Sequence, residues 1–416
     1  MREVTYRACP ICASRLVELL HTQKFAAPVE LRAASSYDVV ACAKCGLVYA
    51  DQQMSQAELD TVYEAHSKYG SAEHDVRADA HILASDIAPV DTPWDFERLQ
   101  DVAKYIADAM PDKRIPILDV GCSNGSFLAL LRTQGFQNSR GIDPSVQAVA
   151  NARKFRGVDA VAGSFLDPAL ELGSFDLLTI SHVLEHLTDV TGAVRRIYEL
   201  LASDGRVYVE VPDAGRYAEY LVAPFHDFNT EHINHFSLDI LHSLMAAHGF
   251  VEVRSGARLI ASSPTDLYPV VYGIWKKSIL LDARAEERDE ALVSSVKQYV
   301  RKSTELMLAI EAKLEADLAD FDQIFVWGAG QLTMKLLCGD VFASKHIDAI
   351  IDTSLAIQGM HIDSDVVASP DRVAEHPTFP IVIGSIHHQQ SIVDFIQKSG
   401  FVNPIVTLLP ASKRNR

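Results

Sequence analysis

The sequence lacks a long apolar segment. No run of about 18 apolar residues, the minimum for a membrane-spanning helix, occurs in its 416 residues. Its first residues, Met-Arg-Glu-Val-Thr, also lack the apolar core of a secretory signal. We therefore expect neither secretion nor a membrane span, and the expected location is cytoplasmic.

Positive charge is scarce as well. Lysine and arginine total 38 against 55 aspartates and glutamates, which gives a net charge of −17. Such a chain is repelled by nucleic-acid phosphates and by anionic lipids. We expect no nucleic acid and no membrane as partner and a small molecule as substrate, whereas the oligomeric state is not indicated. The length predicts two or three domains.

Cysteine is sparse but grouped. Four of the six cysteines form two Cys-x-x-Cys pairs, and each such turn lets two sulfurs face one ion. Two disulfides or a redox pair are the alternatives, and a cytosolic compartment disfavours both. Four thiolates leave no open coordination position, so we predict structural Zn²⁺ in a small domain of residues 1–72. The predicted metal ligands are Cys9, Cys12, Cys42 and Cys45.

The stretch 117–127, Ile-Leu-Asp-Val-Gly-Cys-Ser-Asn-Gly-Ser-Phe, reads as a buried strand that breaks into a glycine loop and opens a helix. Gly121 and Gly125 allow tight turns and close approach of a ligand. Asp143 follows Asp119 at the distance where an acidic residue can bind ribose hydroxyls. These features predict a nucleoside pocket, although a plain strand-to-helix connection is the alternative.

The loop lacks residues of a dinucleotide-binding fingerprint, and this indicates which nucleoside it binds. Phe127 occupies the position of the third glycine of a dinucleotide fingerprint, and Asp119 would repel a phosphate but suits the ammonium of an amino acid. The loop resembles the first motif of class I S-adenosylmethionine (SAM) methyltransferases, with Ser123 replacing a common glycine. The predicted cofactor-binding residues are Asp119, Gly121, Ser123, Gly125, Asp143, Ser164, Phe165 and Ser181.

Strand and helix patterns alternate after this loop, so residues 73–280 are predicted to form an α/β domain with a parallel sheet wound on both faces. Residues 281–416 are predicted to form a helical connector and a second, Rossmann-like α/β unit. That unit repeats the order strand, glycine turn (Gly328-Ala-Gly330), helix, and strand ending in Asp352. A second nucleotide site and plain tight packing both fit this pattern.

A dense polar cluster lies at residues 228–236. His232 suits acid–base chemistry because an imidazole titrates near neutral pH and the adjacent carboxylate of Glu231 can orient it. A metal site that includes His235 and a helix-capping cluster are the alternatives. His182 follows a predicted strand and is expected to point toward the reactive end of the cofactor.

The order of these pieces resembles the sugar C-methyltransferases of branched deoxysugar pathways over nearly the full length. The resemblance rests on the four cysteines, the SAM loop, the stretch from His182 to His186, the segment Asn229-Thr-Glu-His-Ile and the C-terminal unit. It implies methylation of carbon 3 of a nucleotide-linked 4-ketosugar, with SAM in the central domain and the sugar nucleotide lodged between the domains.

The resemblance implies active-site roles for four residues at matching motif positions. The resemblance implies His232 as base, Glu231 as its carboxylate neighbour, His182 as a polar contact to the ketosugar, and Tyr69 as an aromatic hydroxyl near it. Asn229 departs from the family, which often has tyrosine there, and the C-terminal glycine loop lacks the family's Gly-Ala-x-x-Lys-Gly pattern.

The predicted reaction is methyl transfer to a carbon beside a ketone, through an enolate. O- or N-methylation of a sugar or other small molecule, an NAD-dependent oxidoreductase using the C-terminal unit, and a non-catalytic zinc adaptor are the alternatives.

Overall fold

The computed structural model describes residues 6–26, 35–52, 54–60, 93–263, 266–279, 287–355 and 357–410. The chain forms two compact units. The first takes its residues from Met1–Glu18, Val40–Tyr220 and Glu231–Val296, and the second from Leu19–Val39, Leu221–Thr230 and Lys297–Arg416. The division into three domains at residues 72 and 280 stays a prediction.

The strands lie throughout both units. In chain order they are β1 (Val17–Lys24), β2 (Ser36–Cys42), β3 (Val48–Ala50), β4 (Ile117–Val120), β5 (Ser139–Asp143), β6 (Asp159–Ala162), β7 (Phe175–Ser181), β8 (Leu201–Pro212), β9 (Asn234–His235), β10 (Phe250–Ala261), β11 (Leu267–Lys277), β12 (Gln323–Trp327), β13 (His346–Ile351), β14 (His361–Ile362), β15 (Asp365–Ala368), β16 (Ile381–Ile383) and β17 (Ile405–Val406).

Helices alternate with these strands. They are α1 (Pro93–Ala109), α2 (Ser126–Thr133), α3 (Val146–Arg156), α4 (Val190–Leu200), α5 (Leu238–Ala247), α6 (Glu290–Asp317), α7 (Gln331–Leu337) and α8 (Gln389–Lys398). Residues 56–60 are also helical, and short 3-10 turns occur at Leu184–His186, Ala214–Arg216 and Pro370–Glu375. None of the helices in the described ranges is long and apolar enough to cross a bilayer.

The first unit contains a seven-stranded sheet of order β10-β11-β8-β7-β4-β5-β6. Strand β4 pairs in parallel with β5 and β7, and the parallel pairing continues to β6 on one side and β8 on the other. Strand β11 is antiparallel to both β8 and β10. The predicted α/β class is confirmed, and the sheet order places the carboxyl ends of β4 and β7 side by side.

Local sequence explains the helices that flank β4 and β5. Helix α2 begins after Gly125 and buries its apolar face, including Leu128 and Leu131. The Ser145 side chain caps α3 by accepting a hydrogen bond from the Ala148 amide at 3.2 Å. Each fully buried leucine contributes about 2 kcal/mol through removal of apolar surface from water. These helices therefore fix the loops that precede them.

The second unit contains a six-stranded sheet of order β14-β15-β13-β12-β16-β17. Strands β12, β13, β15, β16 and β17 pair in parallel, whereas β14 is antiparallel to β15. Helix α7 follows the glycine turn directly after β12, as the sequence predicts. The unit thus repeats the strand, glycine turn and helix order of the first.

A four-stranded sheet of order β1-β2-β3-β9 combines the three N-terminal strands with β9. In it, β3 pairs antiparallel with β9, so that Tyr49 lies opposite Asn234 and Val48 opposite His235. This pairing anchors the polar segment that ends at residue 236.

Candidate cofactor and catalytic site

The glycine loop after β4 has the backbone of a tight turn. Gly121 has φ 74° and Gly125 has φ 75°, values that side chains adopt rarely. A Cβ atom on Gly121 would lie 2.5 Å from Val183 Cγ2, and one on Gly125 would lie 2.7 Å from Val158 Cγ2. Ser123 also has positive φ, 47°, at the position where the related motif often has glycine. The loop therefore needs both glycines.

Asp143 holds the loop from the end of β5. Its carboxylate accepts hydrogen bonds from the Ser123 amide and the Ser145 amide, each at 2.9 Å. Burial raises the pKa of Asp143, while these backbone hydrogen bonds oppose that rise. Each carboxylate oxygen can accept more than one hydrogen bond, so Asp143 can orient the loop and still bind a ribose hydroxyl.

Asp119 is buried at the end of β4. Its carboxylate accepts a hydrogen bond from Thr179 Oγ1 at 2.6 Å. Burial raises the pKa of Asp119 to about 7, and the hydrogen bond from Thr179 only partly offsets this. A cationic group beside Asp119 would favour the ionised form. The residue is therefore suited to the ammonium of an amino acid.

The other predicted cofactor residues follow β6 and end β7. Gly163 donates its amide to the Asp143 carbonyl at 2.9 Å, which ties the turn before Ser164 and Phe165 to the end of β5. Ser164 Oγ accepts the Leu166 amide, and Phe165 is buried. Ser181, the last residue of β7, donates its hydroxyl to Glu210 at 3.1 Å.

His182 lies directly after β7 in a left-handed conformation, with φ 54°. Its Nδ1 is 3.2 Å from Glu185 Oε1, and its Nε2 is 3.4 Å from Glu210 Oε1. Burial acts to lower the pKa of His182, but the two carboxylates outweigh burial and the pKa is raised. The side chain is 24% exposed, so it can also reach a ligand.

Glu210 in β8 is a buried carboxylate that sequence reasoning missed. It accepts hydrogen bonds from Arg98 Nη1 at 2.9 Å and from Tyr208 at 2.8 Å, and Arg258 pairs with its other side. Burial alone would raise the pKa of Glu210, yet the contacts with His182 and the two arginines hold it well below its usual range. A glutamate within the apolar run Val207-Tyr-Val-Glu-Val211 was the available signal.

His232 lies in a segment that is hydrogen-bonded to the turn Leu184–His186. The Ile233 amide donates to the Glu185 carbonyl at 2.8 Å, and Asn234 Nδ2 donates to the Leu184 carbonyl at 3.1 Å. A carboxylate oxygen of Glu185 and ring nitrogens of His186 and His232 lie within 4.8 Å of one another. Glu185 therefore borders both His182 and His232.

Other members of the polar cluster have different surroundings. The backbone carbonyl of Glu231 lies 3.0 Å from His186 Nδ1. His235 is fully buried, its ring is edge-on to Tyr217, and burial lowers its pKa to about 3. His235 does not join His232 in a group of potential metal ligands within the described residues. Tyr69 lies outside the described residues.

The four predicted metal ligands come together. Cys9 Sγ is 3.6 Å from Cys45 Sγ, and Cys12 Sγ is 3.4 Å from Cys42 Sγ. All four sulfurs lie within 4.8 Å of one another, and none forms a disulfide. One tetrahedral ion fits four thiolates in this arrangement.

The C-terminal unit repeats the carboxylate-held loop by itself. Asp352, directly after β13, accepts the Ala329 amide at 3.0 Å and the Ser354 amide at 2.9 Å. Gly328 donates its amide to the Ile351 carbonyl, as Gly121 does to that of Ile142. The second glycine loop therefore has the hydrogen-bond pattern of the first.

Comparison with known proteins identifies the domain that carries this site. Residues 94–255 match a family described as methyltransferase domain. A C-methyltransferase, NovU of Streptomyces niveus, is 23% identical over 315 residues, which cover 70% of this chain and 72% of NovU.

Two further relatives cover less of the sequence or are more distant. Nocamycin O-methyltransferase of Saccharothrix syringae is 34% identical over 125 residues, 28% of this chain and 45% of that protein. The chain thus spans less than half the length of that relative. The solved 1,6-didemethyltoxoflavin-N1-methyltransferase of Burkholderia thailandensis, with bound S-adenosylhomocysteine, is 19% identical and aligns with a TM-score of 0.37 over 57% of this chain and 96% of its own.

The domain match and the C-methyltransferase relative confirm the family resemblance drawn from the motifs. Residues 94–255 are therefore a methyltransferase domain.

Proposed function

We propose that this enzyme methylates a carbon next to a ketone, with a nucleotide-linked 4-keto-deoxysugar as the acceptor. The observation that carries the proposal is the meeting of His182 and His232 at Glu185, beyond the carboxyl end of β7. Carbon methylation of a ketone needs a base for the C–H proton and a donor for the enolate oxygen. Two histidines in different surroundings supply both.

The cofactor is assigned to the first glycine loop. Asp143 would bind the ribose hydroxyls, Asp119 the ammonium, and Gly121, Ser123 and Gly125 the backbone contacts. Ser164 and Phe165 would border the adenine, and Ser181 would line the reactive end. When bound, SAM supplies an electrophilic methyl group on a sulfonium.

His232 is proposed as the base. Its ring takes the proton from the carbon beside the carbonyl, and the electron pair of that C–H bond forms the enolate. The nucleophilic carbon then forms its bond to the methyl group as the sulfur–methyl bond breaks, and the proton leaves His232 for solvent. Glu231 is proposed to orient the His232 segment, and the structure adds Glu185 as a second carboxylate near this ring.

His182 is proposed to donate a hydrogen bond to the enolate oxygen, with Tyr69 as a second donor. One well-placed donor typically contributes about 3 kcal/mol to a transition state in which charge develops on oxygen. The ring of His182 is held at the end of β7 by its contacts with Glu185 and Glu210. A donor fixed in this way needs little reorganisation during the reaction.

We also propose that Cys9, Cys12, Cys42 and Cys45 hold structural Zn²⁺. The sulfur distances and the absence of disulfides among them fit the proposal. Gly46, directly after the second pair, has φ 83°, and its Cβ would lie 2.7 Å from the Asp289 amide nitrogen. A glycine is therefore required at this knuckle turn.

The loop held by Asp352 is proposed to bind a nucleotide. Its support is the repeated hydrogen-bond pattern of the first loop, within the second unit alone. Gly330 has open space where its Cβ would be, so the loop leaves room for a ligand. Direct measurement of nucleotide binding distinguishes this site from a plain turn.

O-methylation is the second candidate, because one relative over 28% of the chain is an O-methyltransferase. The product distinguishes the two reactions. Zinc-loaded protein is incubated with SAM labelled with ¹³C in the methyl group and a panel of nucleoside diphosphate-linked 4-keto-deoxysugars. NMR coupling of the label to a sugar carbon supports the proposal, whereas a label on oxygen or nitrogen, or no product from the panel, contradicts it.

A further inference from the structure

We infer that Glu185 and Glu210 are positioning residues that hold His182 as an imidazolium, so that His182 is a hydrogen-bond donor and never the base. The catalytic consequence rests on the proposed function, whereas the protonation state does not. We call the three residues Glu185, His182 and Glu210 the histidine clamp. It joins the turn after β7 to the C-terminal part of β8.

The first argument is that the contacts of His182 require a proton on each of its two ring nitrogens. Each ring nitrogen of His182 lies near a carboxylate oxygen, at 3.2 Å from Glu185 and 3.4 Å from Glu210. Nε2 completes no hydrogen bond with the described residues, so an Nε2–H stays available to a ligand. A neutral imidazole has one N–H, and an ionised carboxylate only accepts. One of the two contacts would then set a lone pair against a negative oxygen. Both contacts are favourable only when both ring nitrogens carry protons.

The second argument is the balance of buried charge. Arg98 and Arg258 both pair with Glu210, which is fully buried. Glu185 is 1% exposed, and neither arginine pairs with it among the described contacts. A protonated His182 brings a positive charge to Glu185 and thereby offsets the cost of burying its carboxylate.

The groups around the His182 ring have opposite effects on its protonation. Burial and the positive charge of Arg98 disfavour the imidazolium, whereas Glu185 and Glu210 favour it. Tyr208 and Arg258 contact the far side of Glu210 and fix its orientation. The carboxylates prevail because they contact the ring nitrogens directly.

The backbone supports the same placement. The His182 amide donates to the Glu210 carbonyl at 2.8 Å, so Glu210 holds both the main chain and the side chain of His182. Ser181 Oγ, one residue earlier, donates to the carboxylate of Glu210 at 3.1 Å. The left-handed φ of His182 is therefore fixed by contacts on both sides of its Cα atom.

The clamp separates the roles of the two histidines. Glu185 borders His232 as well as His182, and the ring of His182 also lies 3.4 Å from Glu210. Neighbouring titratable groups in different surroundings take opposite acid–base roles. His182 is therefore the cationic donor, and His232 is left as the base.

The protonation state is measured without any substrate. The full-length, zinc-loaded protein is labelled with ¹⁵N-histidine, and long-range ¹H–¹⁵N NMR spectra are recorded from pH 5.5 to 9. His182 signals are assigned by their loss in His182→Gln. Two protonated ring nitrogens that persist above pH 8 support the clamp, whereas a neutral ring at pH 7.5 overturns it.

Variants test whether the carboxylates cause this state. Glu210→Gln and Glu185→Gln are each expected to move the His182 titration to lower pH by at least one unit. Tyr208→Phe is the matched control, because Tyr208 contacts Glu210 but has no described contact with His182. An unchanged titration in folded Glu185→Gln contradicts the inference. If Glu210→Gln fails to fold, as judged by circular dichroism, Glu185→Gln alone provides the test.

Activity separates the clamp from the proposed reaction. In Glu185→Gln, kcat with an accepted 4-keto-deoxysugar is expected to fall at least about tenfold, with KM for SAM changed less than about threefold. A persistent imidazolium without turnover of any ketosugar would refute the substrate and leave the clamp intact. A neutral His182 with full carbon methylation would refute the clamp and leave the reaction intact.

Discussion

Arg98 Nη1 lies 2.9 Å from Glu210 Oε1, although the two residues are 112 positions apart in the chain. Helix α1 thus supplies a cation to the carboxylate that faces His182. Glu210 is fully buried, so its ionised form depends on partners of this kind. The relationship ties a helix before the sheet to the residue that we propose as the donor.

Arg98→Ala is expected to destabilise the protein and to lower its rate of methyl transfer. Removing one partner of a buried ion pair typically costs about 3 kcal/mol because the other charge stays buried. Differential scanning calorimetry should show a fall in Tm of several degrees. Arg114→Ala breaks the exposed pair with Asp112 and should leave Tm unchanged. Equal Tm values for the two variants would contradict the role given to Arg98.

Gly121→Ala is expected to weaken binding of SAM and S-adenosylhomocysteine at least tenfold. The new Cβ would lie 2.5 Å from Val183 Cγ2, so the loop has to shift. Gly157→Ala is the matched control, because Gly157 also has positive φ but has nothing within 4 Å of its Cβ position. Both variants carry the backbone cost of about 1 kcal/mol, but only Gly121→Ala should change Kd by calorimetry. The same Kd in both would refute the assignment of the loop.

Binding of S-adenosylhomocysteine should strengthen as the pH rises toward neutrality. Burial raises the pKa of Asp119 to about 7, so the carboxyl is largely protonated at pH 6 and must lose its proton to pair with an ammonium. The affinity is therefore expected to rise roughly eightfold from pH 6 to pH 7.5. Asp119→Asn should bind weakly at both values, without this rise. A flat profile in the wild-type protein would contradict the contact between Asp119 and the ammonium.

One zinc ion per chain is expected in the purified protein by elemental analysis. Cys42→Ser removes one of four thiolate ligands and should lower both the zinc content and Tm. Cys338→Ser is the control, since Cys338 is exposed and lies outside the four-cysteine group. Full zinc content in Cys42→Ser, or loss of zinc in Cys338→Ser, would refute the proposed site.

Features encoded by short-range patterns could be predicted from the sequence. The alternation of strands and helices in the first sheet was predicted from apolar runs between turn residues, such as those that form β6 and β7. The loop after β4 could be predicted from glycine spacing, and the cysteine group from two Cys-x-x-Cys pairs. The long antiparallel pair β10 and β11 was not predicted, since its pairing is set by contacts along β8.

The partners of the two histidines could not be predicted from spacing. Glu231 precedes His232 and was the expected carboxylate neighbour, yet Glu185 reaches His232 because the Ile233 amide bonds to the Glu185 carbonyl. Arg98 and Arg258 meet at Glu210 from elements on either side of β8 in sequence. Such contacts arise only when the sheet forms.

The most direct test of the account is exchange of solvent deuterium into the acceptor. Protein loaded with zinc and S-adenosylhomocysteine is incubated in D₂O with an accepted 4-keto-deoxysugar nucleotide, and NMR follows the hydrogen on the carbon beside the ketone. We predict exchange at carbon 3 in the wild-type protein and its loss in His232→Ala. Exchange at an unchanged rate in His232→Ala, or no exchange in a wild-type enzyme that methylates the same sugar, would contradict the proposed mechanism.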